Sequence, residues 1–186
     1  MYIDTYYKII IPKGFKVAGS SLYTYLRNNV VGDRYQDVIL YNNHNTFSEI
    51  INEFGFEIDD YREVKIIRNP WDYVVSAYEW SRYNREIPEN MDFSDFVFKD
   101  SKFNWKKQIA YWSKFRDNDI CVEFEDIPFS LIKIFDEIEH DFKIKEFPHK
   151  KKIGRDHYRN YYSSSYQVNY IKKYFSKLLE YHKYTF

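Results

Sequence analysis

Ten residues near the start of the chain, Pro12-Lys13-Gly14-Phe15-Lys16-Val17-Ala18-Gly19-Ser20-Ser21, set small side chains, two hydroxyls and two lysines directly ahead of a helical stripe. Such a segment can cradle an oxyanion. Small residues let backbone N–H groups approach closely, a helix N-terminus adds partial positive charge, and lysine and serine supply further donors. The segment is not a Walker A loop, which needs Gly-Lys-Ser/Thr at the helix start; here Lys16 precedes the small residues and Ser20 follows Gly19. The magnesium logic of nucleotide hydrolysis therefore has no footing in it. The plainer alternative is an ordinary βα turn with a serine cap. A second anion-binding candidate is Ile67-Arg68-Asn69-Pro70-Trp71-Asp72-Tyr73-Val74-Val75-Ser76-Ala77-Tyr78. Arg68 stands at the end of an apolar run, and Ser76 falls two turns into the helix that Asn69-Pro70 opens, so both can reach one anion beside the helix start. The alternative pairs Arg68 with Asp72 and makes Ser76 a small packing residue.

The elements that must position these residues follow from periodicity. Apolar runs at Tyr6–Ile11, Gln36–Tyr41, Glu63–Ile67 and Asp119–Phe124 read as strands, alternating with amphipathic stretches of helical length. Helices are expected at Ser21–Val30, Thr46–Phe54, from Asn69-Pro70 onward, through Phe93–Phe115, at Pro128–Ile138 and from about Ser164 to His182. Alternation of this kind predicts an α/β fold in three layers around a mainly parallel central sheet, in which ligands lie at the carboxyl ends of the strands. Three of the four strand exits carry distinctive chemistry: the Pro12–Ser21 loop, Asn43-His44-Asn45-Thr46, and Arg68 with its helix.

Lys16-Val17-Ala18-Gly19-Ser20-Ser21-Leu22, followed downstream by Ile67-Arg68-Asn69-Pro70-Trp71-Asp72-Tyr73-Val74-Val75-Ser76-Ala77-Tyr78, resembles the two signature segments of the PAPS-dependent sulfotransferase family. Asn43–Thr46 is similar to the His-containing turn of small carbohydrate-type members, and Val122-Glu123-Phe124-Glu125-Asp126-Ile127 to their Tyr-Glu-Asp-Leu segment. Tyr161-Tyr162 through Tyr184-Thr185-Phe186 is similar to their C-terminal helix and ending, with His182-Lys183 where Gly is usual. The family runs Pro-Lys straight into the small-residue loop, whereas Gly14-Phe15 separates Pro12-Lys13 from Lys16 here. Either lysine can therefore meet the donor, and adjacency to the loop favours Lys16.

The resemblance implies a P-loop NTPase-like sulfotransferase fold over residues 1–186 as one domain. It implies 3′-phosphoadenosine 5′-phosphosulfate (PAPS) as sulfuryl donor, PAP as product and no metal. On this reading Lys16, Val17, Ala18, Gly19, Ser20 and Ser21 hold the 5′-phosphosulfate, Arg68 and Ser76 hold the 3′-phosphate, and the basic turn Lys150–Arg155 closes over the nucleotide with Arg155 as its best fork. A solvated basic loop is the alternative for Lys151 and Lys152. The acceptor, a hydroxyl or amine and in the carbohydrate-type members a saccharide, must lose a proton as it attacks. His44 is the candidate catalytic base, with an ordinary pKa of ~6.5. A surface or capping histidine is the alternative, with Glu49, Glu123 or Glu125 as substitute bases. Trp80, Tyr83, Trp105 and Trp112 could stack on a sugar ring or belong to the core.

Length and composition bound the rest. The 186 residues give a prior of about one domain at ~150 residues each. Lys and Arg number 28 against 28 Asp and Glu, so affinity for polyanions has no global field behind it and a nucleic-acid-coating role is disfavoured. Cys121 is the single cysteine, which excludes an internal disulfide and a thiolate zinc cage. No stretch reads as a secretory leader or membrane span, so a cytoplasmic protein is expected. Two further classes compete: a small P-loop-type nucleotide phosphotransferase, which lacks its Gly-Lys-Ser/Thr here, and a non-catalytic sulfotransferase-like nucleotide-binding module.

Overall fold

The computed structural model describes residues 1–31, 36–41, 44–99, 105–106, 112, 114–148 and 154–186. Packing resolves two compact units, residues 1–67 with 115–151 and residues 68–114 with 152–186.

The first unit holds a mixed five-stranded sheet: β1 (Tyr2–Asp4), β2 (Ile9–Ile11), β3 (Val38–Leu40), β4 (Arg62–Ile67) and β5 (Ile120–Glu123), in the order β3-β1-β2-β4-β5. β2, β4 and β5 pair in parallel, while β1 is antiparallel to both β2 and β3. β3 therefore runs in the same direction as β2, and all four strands expected from the sequence share one orientation. β1 is an addition to that expectation. Its last residue explains why the expected strand at Tyr6 starts later: buried Asp4 accepts the Tyr2 hydroxyl at 2.8 Å and the amides of Tyr6 and Tyr7 at 3.1 and 2.9 Å. Those two amides are drawn into a turn and leave the ladder, so β2 begins only at Ile9.

Both faces of the inner strands β1, β2 and β4 are buried. Ile3 and Ile10 pack with Phe47, Ile50 and Ile51 of α2 (Phe47–Phe54), and the alternate residues Ile9 and Ile11 are equally inaccessible. Alternation of side chains along a strand means that both sides are covered, as a layered α/β arrangement requires. α2 has a capping box, with Thr46 and Glu49 bonded reciprocally, and ends at Gly55 in the left-handed region. α1 (Gly19–Asn29) and α5 (Ile132–Glu137) meet through Tyr25 and Phe135, whose ring centroids are 5.2 Å apart.

The second unit is built on α3 (Pro70–Tyr83), with α4 (Phe93–Phe98), α6 (Ser165–Tyr174) and α7 (Ser176–Tyr181). Tyr73 of α3 lies edge-on to Trp112 and Phe175 at 5.2 and 5.9 Å, and its hydroxyl donates to the Trp105 carbonyl at 3.1 Å. Trp105 and Trp112 are thus core residues, while Tyr83 is 72% exposed beside Trp80. The single final helix expected to run to His182 is two helices, interrupted at Phe175 where that ring seats among Tyr73, Trp105 and Trp112. The helix expected through Phe115 ends at Phe98 with Lys99 extended; much of residues 100–113 lies outside the described residues. The expected Pro128 helix is a 3₁₀ turn, Phe129–Leu131, followed by α5. No described helix is long and apolar enough to cross a membrane.

Candidate functional site

The loop between β2 and α1 belongs to the first unit. Lys16 and Ala18 both have left-handed backbones, with φ of 56° and 60°. A left-handed residue costs a non-glycine side chain roughly 1–2 kcal/mol, and alternating handedness turns successive N–H groups toward one concavity. Ala18 is the N-cap of α1 and offers no side-chain oxygen to the first amides, so the serine-cap alternative does not describe this helix start. Gly19 follows because nothing larger fits: a Cβ there would lie 2.7 Å from the Gly14 carbonyl oxygen and 3.1 Å from Lys13 Cγ. Val17 and Ser21 are buried, while Ser20 remains half-buried at the helix start.

The two lysines differ in place. Lys13 is buried, its stem packed on Gly19 and its ammonium 5.6 Å from the Tyr23 ring centroid. Lys16 is half-buried in the strained part of the loop. His44, 31 residues further on, is joined to the same loop: its Nδ1 lies 2.7 Å from the Lys13 carbonyl oxygen, and its ring meets Phe15 edge-on at 6.5 Å. A carbonyl can only accept, so Nδ1 carries the proton and Nε2 carries the lone pair of the neutral ring. Asn43 lies outside the described residues. Glu49 is committed elsewhere. Its carboxylate accepts the Thr46 amide at 2.6 Å and hydroxyl at 2.8 Å, and those hydrogen bonds, the amide first, hold its pKa below the usual range. Glu123 ends β5 and Glu125 lies in the 3₁₀ turn after it, both exposed.

The start of α3 belongs to the second unit. Asn69 caps it, its Oδ1 accepting the amides of Trp71 at 3.1 Å and Asp72 at 3.2 Å, with Pro70 in the first turn where its missing N–H costs nothing. Arg68 donates through Nε at 2.8 Å and Nη2 at 2.5 Å to one oxygen of Asp72. Arg155 donates through Nη2 to the other oxygen. Burial opposes charge on Asp72, but the two guanidinium groups outweigh it and hold the carboxyl below its usual pKa. Ser76, one turn beyond Asp72, is buried.

The structure thus brings Lys16, Val17, Ala18, Gly19, Ser20, Ser21 and His44 to one loop of the first unit, and Arg68, Ser76 and Arg155 to one helix start of the second. Lys150, Lys151 and Lys152 lie outside the described residues. Asp72 is the member that the sequence offered only as a partner for Arg68. Its spacing from Arg68 is the signal for that pair, but nothing local points to Arg155, 83 residues away. A pocket of about 390 Å³ also opens in the second unit beside Tyr162, Phe186 and the start of α6. There Gln167 Oε1 accepts the amides of Ser163 and Ser164 and the Ser163 hydroxyl, so the helix start is capped from within. Comparison with protein-family models, curated proteins and solved structures finds no match.

Proposed function

We propose that the chain is a PAPS-dependent sulfotransferase, a P-loop-like sulfotransferase domain over residues 1–186 that passes a sulfuryl group to an acceptor hydroxyl or amine, with a saccharide as the first acceptor to test. The observation that carries the reading is the pair of guanidinium groups on Asp72 with the Ser76 hydroxyl one turn on. Two guanidinium charges and a hydroxyl suit a phosphate dianion, and a 3′-phosphate is what distinguishes PAPS from ATP. The alternating loop before α1 supports the other half of the assignment, the 5′-phosphosulfate, with Lys16 beside it.

In the reaction, the acceptor oxygen attacks sulfur as the bond from sulfur to the 5′-phosphate oxygen breaks, leaving PAP. His44 Nε2 takes the acceptor proton, its tautomer set by the Lys13 carbonyl. Lys16 and the Gly19–Ser21 donors offset the charge that gathers on the departing phosphate oxygen. No metal enters these steps. A cytoplasmic setting goes with the proposal.

Thermal unfolding with added nucleotide tests it. PAP should raise the Tm and ATP should not; Arg68→Ala should abolish the shift and Ser76→Ala should reduce it. Equal stabilisation by ATP and PAP would sink the assignment in favour of a phosphotransferase. PAP binding without sulfate transfer to any saccharide, phenol, amine or tyrosine peptide would leave a non-catalytic nucleotide-binding module.

A further inference from the structure

The chain is neutral as a whole, but its charges are segregated along the sequence. Residues 117–141, in the first unit, carry nine Asp and Glu against Lys133 alone; residues 157–179, in the second, carry Arg159, Lys172, Lys173 and Lys177 and no acidic residue. Part of the acidic excess is used internally. Asp119 is buried beside Lys65 and Arg116, Glu137 holds Arg62 at 2.7 Å, and Glu139 accepts the Tyr7 hydroxyl at 2.9 Å. Asp126 and Asp136 are exposed. The same stretch exposes apolar surface. Among the described residues, the large exposed apolar side chains without a hydroxyl are Phe129, at 58%, and Ile132, at 39%. They stand three positions apart, on one side of the 3₁₀ turn that runs into α5, and Asp136 continues that side one turn further on. Ile134 and Phe135 of α5 are fully buried, so the core is already filled without Phe129 and Ile132. The basic stretch presents matching features. In α6, Tyr166 is 68% exposed and its ring rests on Phe98 at 5.3 Å. Lys173 lies two turns beyond Tyr166 on the same stripe with Lys172 beside it, both exposed, while Gln167 and Ile171 face inward. Lys177 is engaged by Glu180 at 3.1 Å.

We propose that the acid-rimmed apolar face around Phe129 and Ile132 docks on the basic, tyrosine-bearing face of α6 in a second copy of the chain, so that the protein associates with itself head to tail. Charge selects the occupant. Asp126 and Asp136 complement Lys172 and Lys173 and steer the encounter, while Phe129, Ile132 and the Tyr166 ring supply the area removed from water. The two faces differ, so the contact is heterologous, with each copy offering one face of each kind. Association of this kind needs no nucleotide and stands apart from the donor reading above.

Sedimentation velocity of the full chain over a range of concentrations tests this on wild type, on Phe129→Ser with Ile132→Ser, and on Lys172→Ser with Lys173→Ser, circular dichroism checking that each variant is folded. Wild type should associate at low salt, and raising the ionic strength from about 0.05 M to about 0.5 M should weaken that association by about tenfold or more, because exposed charges are screened. Each double variant alone should stay monomeric. Mixed in equal amounts, the two should form a one-to-one heterodimer and nothing larger, since each keeps the face that the other has lost. A wild type that stays monomeric at low salt through the micromolar to millimolar range overturns the proposal, and so does association that salt leaves unchanged. Association that survives in either double variant, or a mixture no more associated than its components, also overturns it. Should the Phe129→Ser with Ile132→Ser variant fail to fold, Phe129→Ser alone, at the more exposed position, decides the matter: association equal to wild type overturns the proposal.

Discussion

Gly19 shows how the loop chemistry depends on a missing side chain. Replacing Gly19 by Ala should gain up to about 1 kcal/mol of helix propensity, since glycine is the weaker helix former. Against that stands a methyl group 2.7 Å from the Gly14 carbonyl oxygen, a backbone atom that can yield only if the loop moves. Overpacking of this kind costs about 1–3 kcal/mol, so the clash wins. Gly19→Ala should therefore lower the urea midpoint, whereas Ser20→Ala, at a half-buried position one residue on, should stay within about 0.5 kcal/mol of wild type. A neutral or stabilising Gly19→Ala would mean that Gly14 does not cover the helix start. At this scale the sequence exposed residue types and local spacings: the small-residue loop, and Asp72 one turn from Arg68. Contacts between distant segments were not legible. His44 meets Lys13 across 31 residues and Arg155 meets Asp72 across 83, and neither separation leaves a periodic signal.

Elements were readable where a cap or a stripe defined them locally. Asn69-Pro70 marks the start of α3 to the residue, because asparagine fills the N-cap and proline tolerates the first turn. Thr46 likewise marks α2, with Glu49 three residues on. Elements set by tertiary contact were not readable. β1 is three residues long and exists because β2 and β3 flank it, and the interruption between α6 and α7 falls where Phe175 enters an aromatic cluster. The Asn69 cap has a measurable weight. Its Oδ1 serves two amides, and its Nδ2 donates to the Thr185 carbonyl at 3.3 Å. Asn69→Ala should cost about 1–2 kcal/mol, a Tm loss of about 2–4 °C per kcal/mol in a chain of this size. Asn69→Asp, which keeps the accepting oxygen, should recover most of it. Equal losses in both variants would assign the effect to the Thr185 contact.

On the scale of the whole chain, α/β class and the common direction of four strands were legible from alternating runs, while the antiparallel β1 between β3 and β2 was not. Nor was the interior of β4. Arg62-Glu63-Val64-Lys65-Ile66-Ile67 alternates as a half-exposed strand would, yet Glu63 and Lys65 are both buried on one face. They are tolerated there because they pair with each other, and because Lys65 also lies 3.6 Å from Asp119, itself held by Arg116 at 3.0 Å. The balance is incomplete. Loss of water from the Glu63 carboxylate outweighs the neighbouring Lys65 ammonium and raises its pKa from 4.5 to about 7. A carboxyl that binds its proton more tightly when folded stabilises the fold below its unfolded pKa and loses that contribution as pH rises through the folded one. Wild type should thus lose stability relative to Glu63→Gln between about pH 5 and pH 8, by on the order of 1–3 kcal/mol. Taking the difference between the two proteins removes whatever is common to both. Asp72 acts in the opposite sense, because its depressed pKa makes its contribution fall away only in acid, below the window compared. Urea unfolding of both proteins at unit pH steps measures the difference. A difference that stayed flat across the window, or a wild type that gained on Glu63→Gln with rising pH, would show that the ion pair with Lys65 and not desolvation governs this carboxyl.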